Sequence, residues 1–451
     1  MADNPVMSPA ESLMWTVERD PILRSTFMTI TMLDRAPDMG RLEARIGDAM
    51  AGFPRMRQRV RTATSPLERH RWIDDASFDL RYHVRRVALA PPGTQRALLD
   101  LAALWLEDAF DPVRPLWQLT VVEGLDGGRA ALFTKMHHTI TDGVGGLRLS
   151  SSFLDFDQAG KAPLRMAVPT TEEEPAGTAR PGAAEALNNL ANLAVNTGRA
   201  LRPDRLVRQV RGAADGAVSI LRQGIGGVGA SSLWGEGRSM GRWLDCIDLS
   251  LDTARVVSKD LGGTINDYFV SGVAGGAARY HRAMGAEVDA LRVAMPVSTR
   301  VDASFGGNSF APARVTVPAG IIDPAERFRA IHDLLSVARS DPAIGFMDSV
   351  AALLMSLPAA VITPLARQQI AVVDLAASNL RGSPVQLFVG GAAVLANYPM
   401  GPTAGVAFNT TVLSYMSRLD VGLDVDVAAV ADPPLLRTCI EQSFQELDGL
   451  G

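Results

Sequence analysis

The feature that most constrains this chain is a short apolar segment that runs directly into a pair of histidines. Ala130–Phe133 is apolar, and the sequence then continues through His137 and His138 to the turn-forming pair Asp142-Gly143. An apolar run of this length, bounded by turn residues, is typical of a buried strand. We therefore predict that a strand carries both histidines to the rim of a sheet, where glycine lets the backbone turn sharply.

The same residues have the chemistry of a general base. Imidazole has the side-chain pKa nearest neutrality, so His137 or His138 can accept a proton and return it at working pH. Asp142 follows on the predicted turn, where it can fix a ring tautomer or anchor the loop to a cation. A lone histidine is usually structural, whereas this pattern makes a catalytic site and a structural one equally good interpretations.

The pattern His-His-x-x-x-Asp-Gly over residues 137–143 resembles the signature of the wax ester synthase/diacylglycerol acyltransferase family. That family is part of the CoA-dependent acyltransferase superfamily. The resemblance leaves only the middle of the chain unmatched. The other segments that are similar to the family are Arg114–Trp117, Glu123–Leu125, Gly128–Arg129, Gly263–Asp267, Pro296–Arg300, Gly307–Asn308, Ser378–Asn379, Tyr398–Pro399, Gly401–Pro402, Asn409 and Leu413–Tyr415.

The resemblance implies an α/β fold, the two-domain sandwich of chloramphenicol acetyltransferase-like enzymes, with an active-site channel between the halves. The length agrees, because 451 residues exceed the size at which a single hydrophobic core stops growing. We predict an N-terminal half at residues 1–157, which carries the histidine motif. A linker at 158–242, partly helical and partly flexible, then leads to a C-terminal half at 243–451.

The resemblance also implies an O-acyltransferase that moves a long-chain acyl group from acyl-CoA to a lipid alcohol. Diacylglycerol is the expected acceptor, giving triacylglycerol, and long-chain alcohols, giving wax esters, are the alternative. By the family's pattern His138 is the general base, His137 supports the loop or lines the acceptor side, and Asp142 holds the loop. No bound cofactor or metal is expected, since acyl-CoA is a co-substrate.

Supporting roles follow from the resemblance for Gly143, Asn266 and Arg300. Arg300 is expected to pair with Asp142, by analogy with the wider superfamily. Asn266 is expected to donate to the developing oxyanion or to order a water there, and a helix N-cap is its structural alternative. The candidate residues of the substrate channel are Pro115, Trp117, Ser298, Asn308, Ser378 and Asn379. For Pro115, Trp117 and Asn308 a structural role explains the match equally well.

Two segments depart from the family's pattern. After Ser378-Asn379 the family continues Val-Pro-Gly-Pro, whereas Leu380–Pro384 of this chain is Leu-Arg-Gly-Ser-Pro. The family's Pro-Leu-Asn segment ahead of the second half is replaced by Leu233–Arg238. Both segments are expected to shape the path of the acceptor. A polyketide or sugar acceptor therefore stays open, as does a non-catalytic lipid-associated protein.

Composition limits the partners and the compartment. A formal net charge of -5 argues against a nucleic-acid binder. The two cysteines, Cys246 and Cys439, are too few for a disulfide framework and suit a reducing cytosol. The N-terminal residues contain no basic segment followed by an apolar one, so no signal peptide is expected. The sequence favours no particular oligomeric state.

Two stretches are candidates for contact with lipid. Arg199–Arg211 has arginines at helical spacing beside apolar residues, which suits a solvated linker helix or a basic helix on an anionic membrane. Ser349–Ala366 has no ionisable side chain, but Pro358 and Pro364 favour two short helices over a membrane span. We expect a cytoplasmic protein held peripherally at the inner face of the membrane or at lipid droplets.

Local patterns predict the elements around the histidines. The apolar periodicity of Thr26–Leu33 suits a strand. Leu119–Glu123 and Ala130–Met136 form a predicted hairpin around Asp126–Gly128. Thr94–Phe110 has the spacing of an amphipathic helix, with Leu98, Leu101, Leu104 and Leu106 facing a core.

Overall fold

The ends of the helices are set by side chains that satisfy otherwise free backbone N–H groups. Ser8 Oγ accepts from the Glu11 N–H, and Glu11 Oε2 accepts from the Ser8 N–H, which makes a capping box. A side-chain oxygen also accepts from a backbone N–H of the first turn at the start of further helices, at Asp38, Thr94, Ser250, Thr264 and Asp432. The helix boundaries are therefore encoded locally.

The computed structural model describes residues 5–64, 68–141, 145–146, 149–150, 152–160, 232–235, 237–298, 310–339 and 359–451. The helices are α1 (Pro9–Val17), α2 (Met39–Gly52), α3 (Leu80–His83), α4 (Gln95–Glu107), α5 (Leu251–Asp260), α6 (Ile265–Ala283), α7 (Pro324–Arg339), α8 (Ala359–Ile370) and α9 (Pro433–Asp448), with 3₁₀ turns at Pro54–Arg57 and Asp126–Gly128. The strands are β1 (Thr26–Leu33), β2 (Gln58–Arg61), β3 (Arg71–Asp74), β4 (Val84–Ala88), β5 (Trp117–Glu123), β6 (Ala130–His137), β7 (Arg242–Ser250), β8 (Ala290–Ser298), β9 (Phe310–Pro318), β10 (Leu375–Arg381), β11 (Phe388–Val389), β12 (Ala392–Met400), β13 (Phe408–Tyr415) and β14 (Arg418–Asp426).

The first sheet has the order β11-β12-β1-β6-β5-β4. Strand β6 pairs antiparallel with β1 and with β5, and the predicted β5–β6 hairpin is confirmed. Strand β4 pairs parallel with β5. Because β6 lies in the interior of the sheet and is buried along its whole length, both of its faces require apolar residues. This explains the continuous apolar run that leads to the histidines.

The second sheet has the order β7-β14-β13-β10-β8-β9. It is mixed, since β10 runs parallel to β13 and β8 while the other pairs are antiparallel. Helices α6 and α9 pack against this sheet in one large apolar core. Strands β2 and β3 form a separate two-stranded sheet.

Strands from the last part of the chain complete the first sheet. Strand β12 pairs antiparallel with β1, and β11 pairs with β12. On the side of the second sheet, the carboxylate of Asp420 accepts from the Asn397 N–H at 2.7 Å, and that of Asp248 accepts from the Tyr398 hydroxyl at 2.7 Å. Both sheets belong to one compact unit. They are linked at β12, by the chain that continues from β12 into β13 and by the two hydrogen bonds just described. The predicted linker at 158–242 lies largely outside the described residues, so its boundaries stay a prediction.

The helix predicted over Thr94–Phe110 is shorter than predicted, and its buried face differs from the predicted one. It spans Gln95–Glu107, and Leu98 and Leu106 are buried as predicted. The prediction that Leu104 faces a core is wrong, since 61% of this residue is exposed. Steps of about 100° per residue put Leu104 on the opposite side of the helix from the buried stripe.

The segments predicted to contact lipid are described only in part. Arg199–Arg211 lies outside the described residues, as do residues 349–358. The remainder of Ser349–Ala366 belongs to α8, which continues through Pro364 and does not end there. Within the described ranges, no helix combines the length and the apolarity needed to cross a bilayer.

Helices α6 and α9 approach each other closely where α6 carries glycine. A Cβ atom added to Gly276 would lie 2.4 Å from the Cα atom of Ile440, a backbone atom that cannot move aside cheaply. By contrast, Gly47 in α2 is exposed, and a Cβ atom there would meet no atom within 4 Å. The two glycines share helical backbone but differ in the space around them.

We predict opposite effects of alanine at these two positions. Gly276→Ala should lower the free energy of unfolding by about 1–3 kcal/mol, because the added methyl group overpacks the α6–α9 contact. Gly47→Ala should raise it by about 0.5–1 kcal/mol, because alanine is the better helix former and meets no neighbour. Urea unfolding measures both changes, and an equal effect of the two substitutions would contradict the described packing.

Candidate active site

His137 and His138 lie at the end of β6 and point to opposite faces of the first sheet. Strand β6 ends at His137 and His138 begins the following turn, but the His138 N–H still donates to the Ser25 carbonyl oxygen at 3.0 Å, which extends the pairing by one residue. Successive side chains of a strand alternate between faces. Accordingly the His137 ring packs edge-on against Trp15, with centroids 6.1 Å apart, while the His138 ring packs on Phe27 at 4.7 Å.

His137 is held on the side of α1 by partners that fix its tautomer. Only 1% of the residue is exposed. The Thr139 N–H, which can only donate, lies 3.1 Å from His137 Nδ1, so Nδ1 is an acceptor. The proton therefore sits on Nε2, which donates to Glu18 Oε2 at 2.9 Å. With both ring nitrogens engaged, His137 is suited to position the loop.

Glu18 connects the two histidines through the backbone. Besides His137 Nε2, its Oε2 accepts from the Ser25 N–H at 3.0 Å. The carbonyl oxygen of Ser25 in turn accepts from the His138 N–H. Glu18 thus anchors His137 by its side chain and His138 through Ser25. Sequence reasoning missed Glu18, because it lies 119 residues before His137 and nothing near it in the sequence signals the contact.

His138 lies on the face of the sheet that borders a large cavity. Phe27, Thr29 and Thr31 alternate along β1 and share one face. Thr29 and Thr31 line a cavity of about 690 Å³, and Phe27 contacts the His138 ring. On β6, Thr134 also lines the cavity. It precedes His138 by four residues, which is about 13 Å along a strand.

The cavity lies between the two sheets and is mostly apolar. The first sheet contributes Leu132, and the second contributes Leu413 and Tyr415. The chain after β6 adds Phe153 and Leu154. Its size is within the usual range of small-molecule sites, and its lining suits a hydrocarbon chain better than a polar substrate.

The segment that departs from the family after Ser378 forms part of the cavity wall. Asn379 and all of Leu380–Pro384 line the cavity. The other departing segment, Leu233–Arg238, is absent from the described lining. Its Trp234 is fully buried in the core of the second sheet, where it packs edge-on against Phe408. Only the first departure therefore contributes to this cavity.

Several predicted site residues lie elsewhere or outside the described residues. Asp142, Gly143, Arg300 and Asn308 belong to the second group, so their predicted roles stay predictions. Ser298 ends β8, where it pairs with Phe310 of β9. Three further residues were predicted to line the substrate channel but do not line this cavity: Pro115, Trp117 and Ser378.

Trp117 is a core residue of the first half. It is fully buried, its Nε1 donates to the Met56 carbonyl oxygen at 2.8 Å, and its ring stacks on His83 at 4.5 Å. Pro115 is buried beside it, and the carbonyl oxygen of Leu116 accepts from the His137 N–H at 3.1 Å. This segment therefore touches the histidines through the backbone of Leu116.

Asn266 lies in the first turn of α6. The alternative prediction that it is the N-cap of this helix is wrong. The N-cap is Thr264, whose Oγ1 accepts from the Asp267 N–H, and Asp267 completes a capping box. The carboxylate of Asp267 is fully buried and also accepts from His332 Nδ1 at 2.8 Å. The side chain of Asn266 forms no hydrogen bond with the described residues, and the residue is half-buried. Its amide is thus available to a ligand.

Lys135 is an ionisable group buried next to the histidines on β6. Only 3% of the residue is exposed. Its Nζ donates to the Asp108 carbonyl oxygen at 2.8 Å and lies 4.7 Å from the centre of the Phe110 ring. Burial lowers the pKa of Lys135 to about 8, because desolvation disfavours the ammonium form.

No group of three His, Cys, Asp or Glu side chains within the described ranges is placed to hold a metal ion. The site as described consists of an imidazole, an anchoring carboxylate and an apolar cavity. An imidazole in this place can accept a proton from a hydroxyl group, and the cavity on the same face of the sheet can hold a hydrocarbon chain.

Comparison with known proteins gives matches over most of the chain. Residues 7–269 match the wax ester synthase/diacylglycerol acyltransferase catalytic domain, and residues 306–448 match the WS/DGAT C-terminal domain. A protein of Mycobacterium tuberculosis H37Rv, provisionally named a diacylglycerol O-acyltransferase, is 32% identical over 452 residues, which cover 98% of this chain and 91% of that protein. A second protein of the same strain, with the same provisional name, is 31% identical over 410 residues, 88% of each chain.

Solved structures confirm the predicted two-domain α/β fold. The wax ester synthase/diacylglycerol acyltransferase from Marinobacter aquaeolei VT8 matches with a TM-score of 0.67 at 20% identity, covering 98% of each chain. The first condensation domain of the CDA synthetase matches with a TM-score of 0.62 at 15% identity, covering 100% of this chain and 96% of that one. At these identities the likeness shows the fold alone.

We predict that Lys135 makes stability depend on pH between 8 and 10.5. The folded pKa is about 8 against an ordinary 10.5, so the unfolded chain binds more protons in this window and stability rises with pH. Relative to Lys135→Met, the wild type should gain up to about 3 kcal/mol across the window. Lys259→Met, at an exposed position, is the matched control and should follow the wild type. Urea unfolding at several pH values gives the result, and parallel curves for wild type and Lys135→Met would contradict it.

Proposed function

This chain belongs to the wax ester synthase/diacylglycerol acyltransferase family and is an acyltransferase, and from that premise we propose that it transfers a long-chain acyl group from acyl-CoA to diacylglycerol, giving triacylglycerol. The observation that carries the proposal is that His138 shares a face of the first sheet with an apolar cavity of about 690 Å³. A base on the same face of a sheet as a hydrocarbon site suits the acylation of a lipid alcohol.

In the proposed reaction His138 acts as general base. Its imidazole takes the proton of the acceptor hydroxyl as that oxygen attacks the thioester carbonyl carbon. The tetrahedral intermediate then collapses, the carbon–sulfur bond breaks, and the CoA thiolate receives the proton. The ester and free CoA leave, and the imidazole is ready again. No bound cofactor or metal enters this scheme, which is part of the proposal.

The other residues have positioning roles in the proposal. His137, held by Glu18 on one side and by the Thr139 N–H on the other, keeps the end of β6 in place. Asp142 and Gly143 shape the turn, with Arg300 as the partner of Asp142. The free amide of Asn266 donates to the oxyanion or orders a water beside it.

Wax ester synthesis from long-chain alcohols is the second candidate. It is favoured by the cavity itself, whose apolar lining accepts a single hydrocarbon chain as readily as a glycerolipid. The segment Leu380–Pro384, where this chain departs from the family, forms part of the wall and is expected to decide between acceptors. Because both substrates of either reaction are lipids, we propose peripheral association with the inner face of the membrane or with lipid droplets.

One assay separates these functions. Purified protein is given labelled palmitoyl-CoA with diacylglycerol, hexadecanol or water, each alone. Labelled triacylglycerol as the main product supports the first proposal, and labelled wax ester supports the second. Free fatty acid alone, or no product with either lipid, would contradict acyl transfer to a lipid alcohol.

We predict that His138→Ala lowers kcat/KM by about a hundred- to ten-thousand-fold, the usual contribution of a general base. Binding of palmitoyl-CoA, measured by calorimetry, should stay near the wild-type value. His137→Ala is the matched variant. It should lose less activity but also lower the melting temperature, because the largely buried carboxylate of Glu18 loses one of its two partners. The reverse order of the two variants would exchange the proposed roles, and near-normal turnover in His138→Ala would refute the base.

A further inference from the structure

We propose that the mouth of the cavity is a docking surface for an anionic phospholipid bilayer. We define this mouth by Phe156, Val385 and Arg381, which line the cavity and are exposed to solvent. The proposal deepens the proposed function, because it gives an apolar substrate a direct path from the lipid into the cavity. It assigns the contact to a surface other than Arg199–Arg211 and Ser349–Ala366.

Two apolar side chains of the mouth face both the cavity and the solvent. Phe156 is 44% exposed and Val385 is 47% exposed, yet both belong to the cavity lining. Each therefore lies where the cavity opens. Single exposed apolar residues are common on protein surfaces, but exposed apolar residues that continue into an apolar cavity mark a binding surface.

The chain around Phe156 is fixed by hydrogen bonds and ion pairs. The neighbouring Asp155 exchanges two backbone hydrogen bonds with Phe388 at the edge of the first sheet, each 2.9 Å long. Its buried carboxylate pairs with Arg45 at 2.8 Å and with Arg41 at 3.5 Å, both on α2. The backbone that carries Phe156 is thus already fixed at the surface. Binding to a bilayer therefore does not have to order this segment, and that entropic cost is avoided.

The chain around Val385 is also fixed by hydrogen bonds. The Tyr415 hydroxyl accepts from the Leu387 N–H at 3.0 Å, and the Met416 N–H donates to the Ser383 carbonyl oxygen at 2.8 Å. Ser383 Oγ also accepts from the Val385 N–H at 3.2 Å, which closes a turn. Val385 therefore lies in a turn that hydrogen bonds hold in place, with its side chain exposed to solvent.

Arg381 supplies the charge. It is exposed at the end of β10, and its side chain forms no hydrogen bond, ion pair or ring contact with the described residues. Arg418, by contrast, pairs with Asp420 at 3.0 Å. A guanidinium group with no partner binds phosphate well, because its planar fork matches two oxygen atoms.

These features commit the surface to one occupant. A phospholipid bilayer presents phosphate groups over hydrocarbon chains, and the mouth presents a free guanidinium group beside apolar side chains. Phe156 and Val385 would insert among the chains while Arg381 binds a phosphate group. The apolar cavity behind them would then be continuous with the hydrocarbon layer, which allows a lipid substrate to enter without crossing water.

Vesicle flotation tests the proposal without any substrate present. The wild type should float with vesicles of equal parts phosphatidylcholine and phosphatidylglycerol, and less with phosphatidylcholine alone. The double variant Phe156→Ser/Val385→Ser should bind at least about tenfold more weakly, since it loses two inserted apolar groups. Arg381→Gln should bind about fivefold more weakly to the anionic vesicles.

Matched controls come from surfaces away from the mouth. Ile322 and Val337, 72% and 73% exposed, lie beside and within α7, and Ile322→Ser/Val337→Ser should float like the wild type. Arg329→Gln, at another exposed arginine of α7 that has no ion pair with the described residues, is the control for charge. Equal loss in the control variants, or no loss in the mouth variants, would overturn the proposal. So would a wild type that stays with the unbound protein.

A second measurement guards against variants that fail to fold. Phe156→Cys can be labelled selectively with an environment-sensitive fluorophore, because Cys246 and Cys439 are both buried. Adding the anionic vesicles should shift its emission to the blue, whereas the same label at Val337→Cys should not shift. An unshifted label at position 156 would overturn the proposal. So would a wild-type dimer in sedimentation that the mouth double variant dissociates, because the occupant would then be a second copy of the chain.

The outcome is separable from that of the proposed function. A protein that forms esters but does not float would refute the docking surface and leave the activity standing. A protein that floats through Phe156, Val385 and Arg381 but forms no ester would support the surface and refute the activity.

Discussion

The site depends on the antiparallel pairing of β1 with β6, because this pairing decides which way each histidine points. Side chains alternate along a strand, so a shift of one residue would turn His138 away from the cavity and bring His137 to it. At the end of β6 the His138 N–H donates to Ser25, next to β1, and the His137 N–H donates to Leu116, next to β5, so both neighbouring strands hold this end in register. Glu18 adds a third restraint by binding both His137 and Ser25. One carboxylate thereby restrains both His137 and, through Ser25, the proposed base His138.

The cavity depends on how the second sheet is held against the first. Strand β12 pairs with β1 in the first sheet and is followed in the chain by β13 and β14 of the second sheet, so it links the two sheets. Polar as well as apolar contacts contribute to this link. Asp420 and Asp424 are fully buried on β14, and burial raises the pKa of each to about 6. Arg418 and the Asn397 N–H stabilise the charge of Asp420, and Arg242 stabilises that of Asp424.

Local sequence signals were sufficient for the elements around the histidines and insufficient for their surroundings. Strand β1 has the predicted bounds, and the β5–β6 hairpin forms around the predicted turn, because hydrophobic period and turn residues are local. Strand β12 was not predicted; Pro399 within it is a residue type that rarely occurs in the interior of a sheet. Helix α9 was also missed, although Asp432 caps it in the usual way. The contact of Glu18 with His137 and the assembly of the cavity join segments far apart in the chain, which no local pattern encodes.

The central claim is that the cavity between the sheets holds the acyl chain while His138 acts at its edge. Photo-crosslinking tests this most directly, with a palmitoyl-CoA analogue that carries a diazirine group at the end of its hydrocarbon chain. Irradiation and peptide mapping by mass spectrometry should find the label on the segments that contain Leu132, Phe153 and Leu413, and unlabelled palmitoyl-CoA should suppress it. Label confined to residues that do not line the cavity, or label that palmitoyl-CoA fails to displace, would contradict the account.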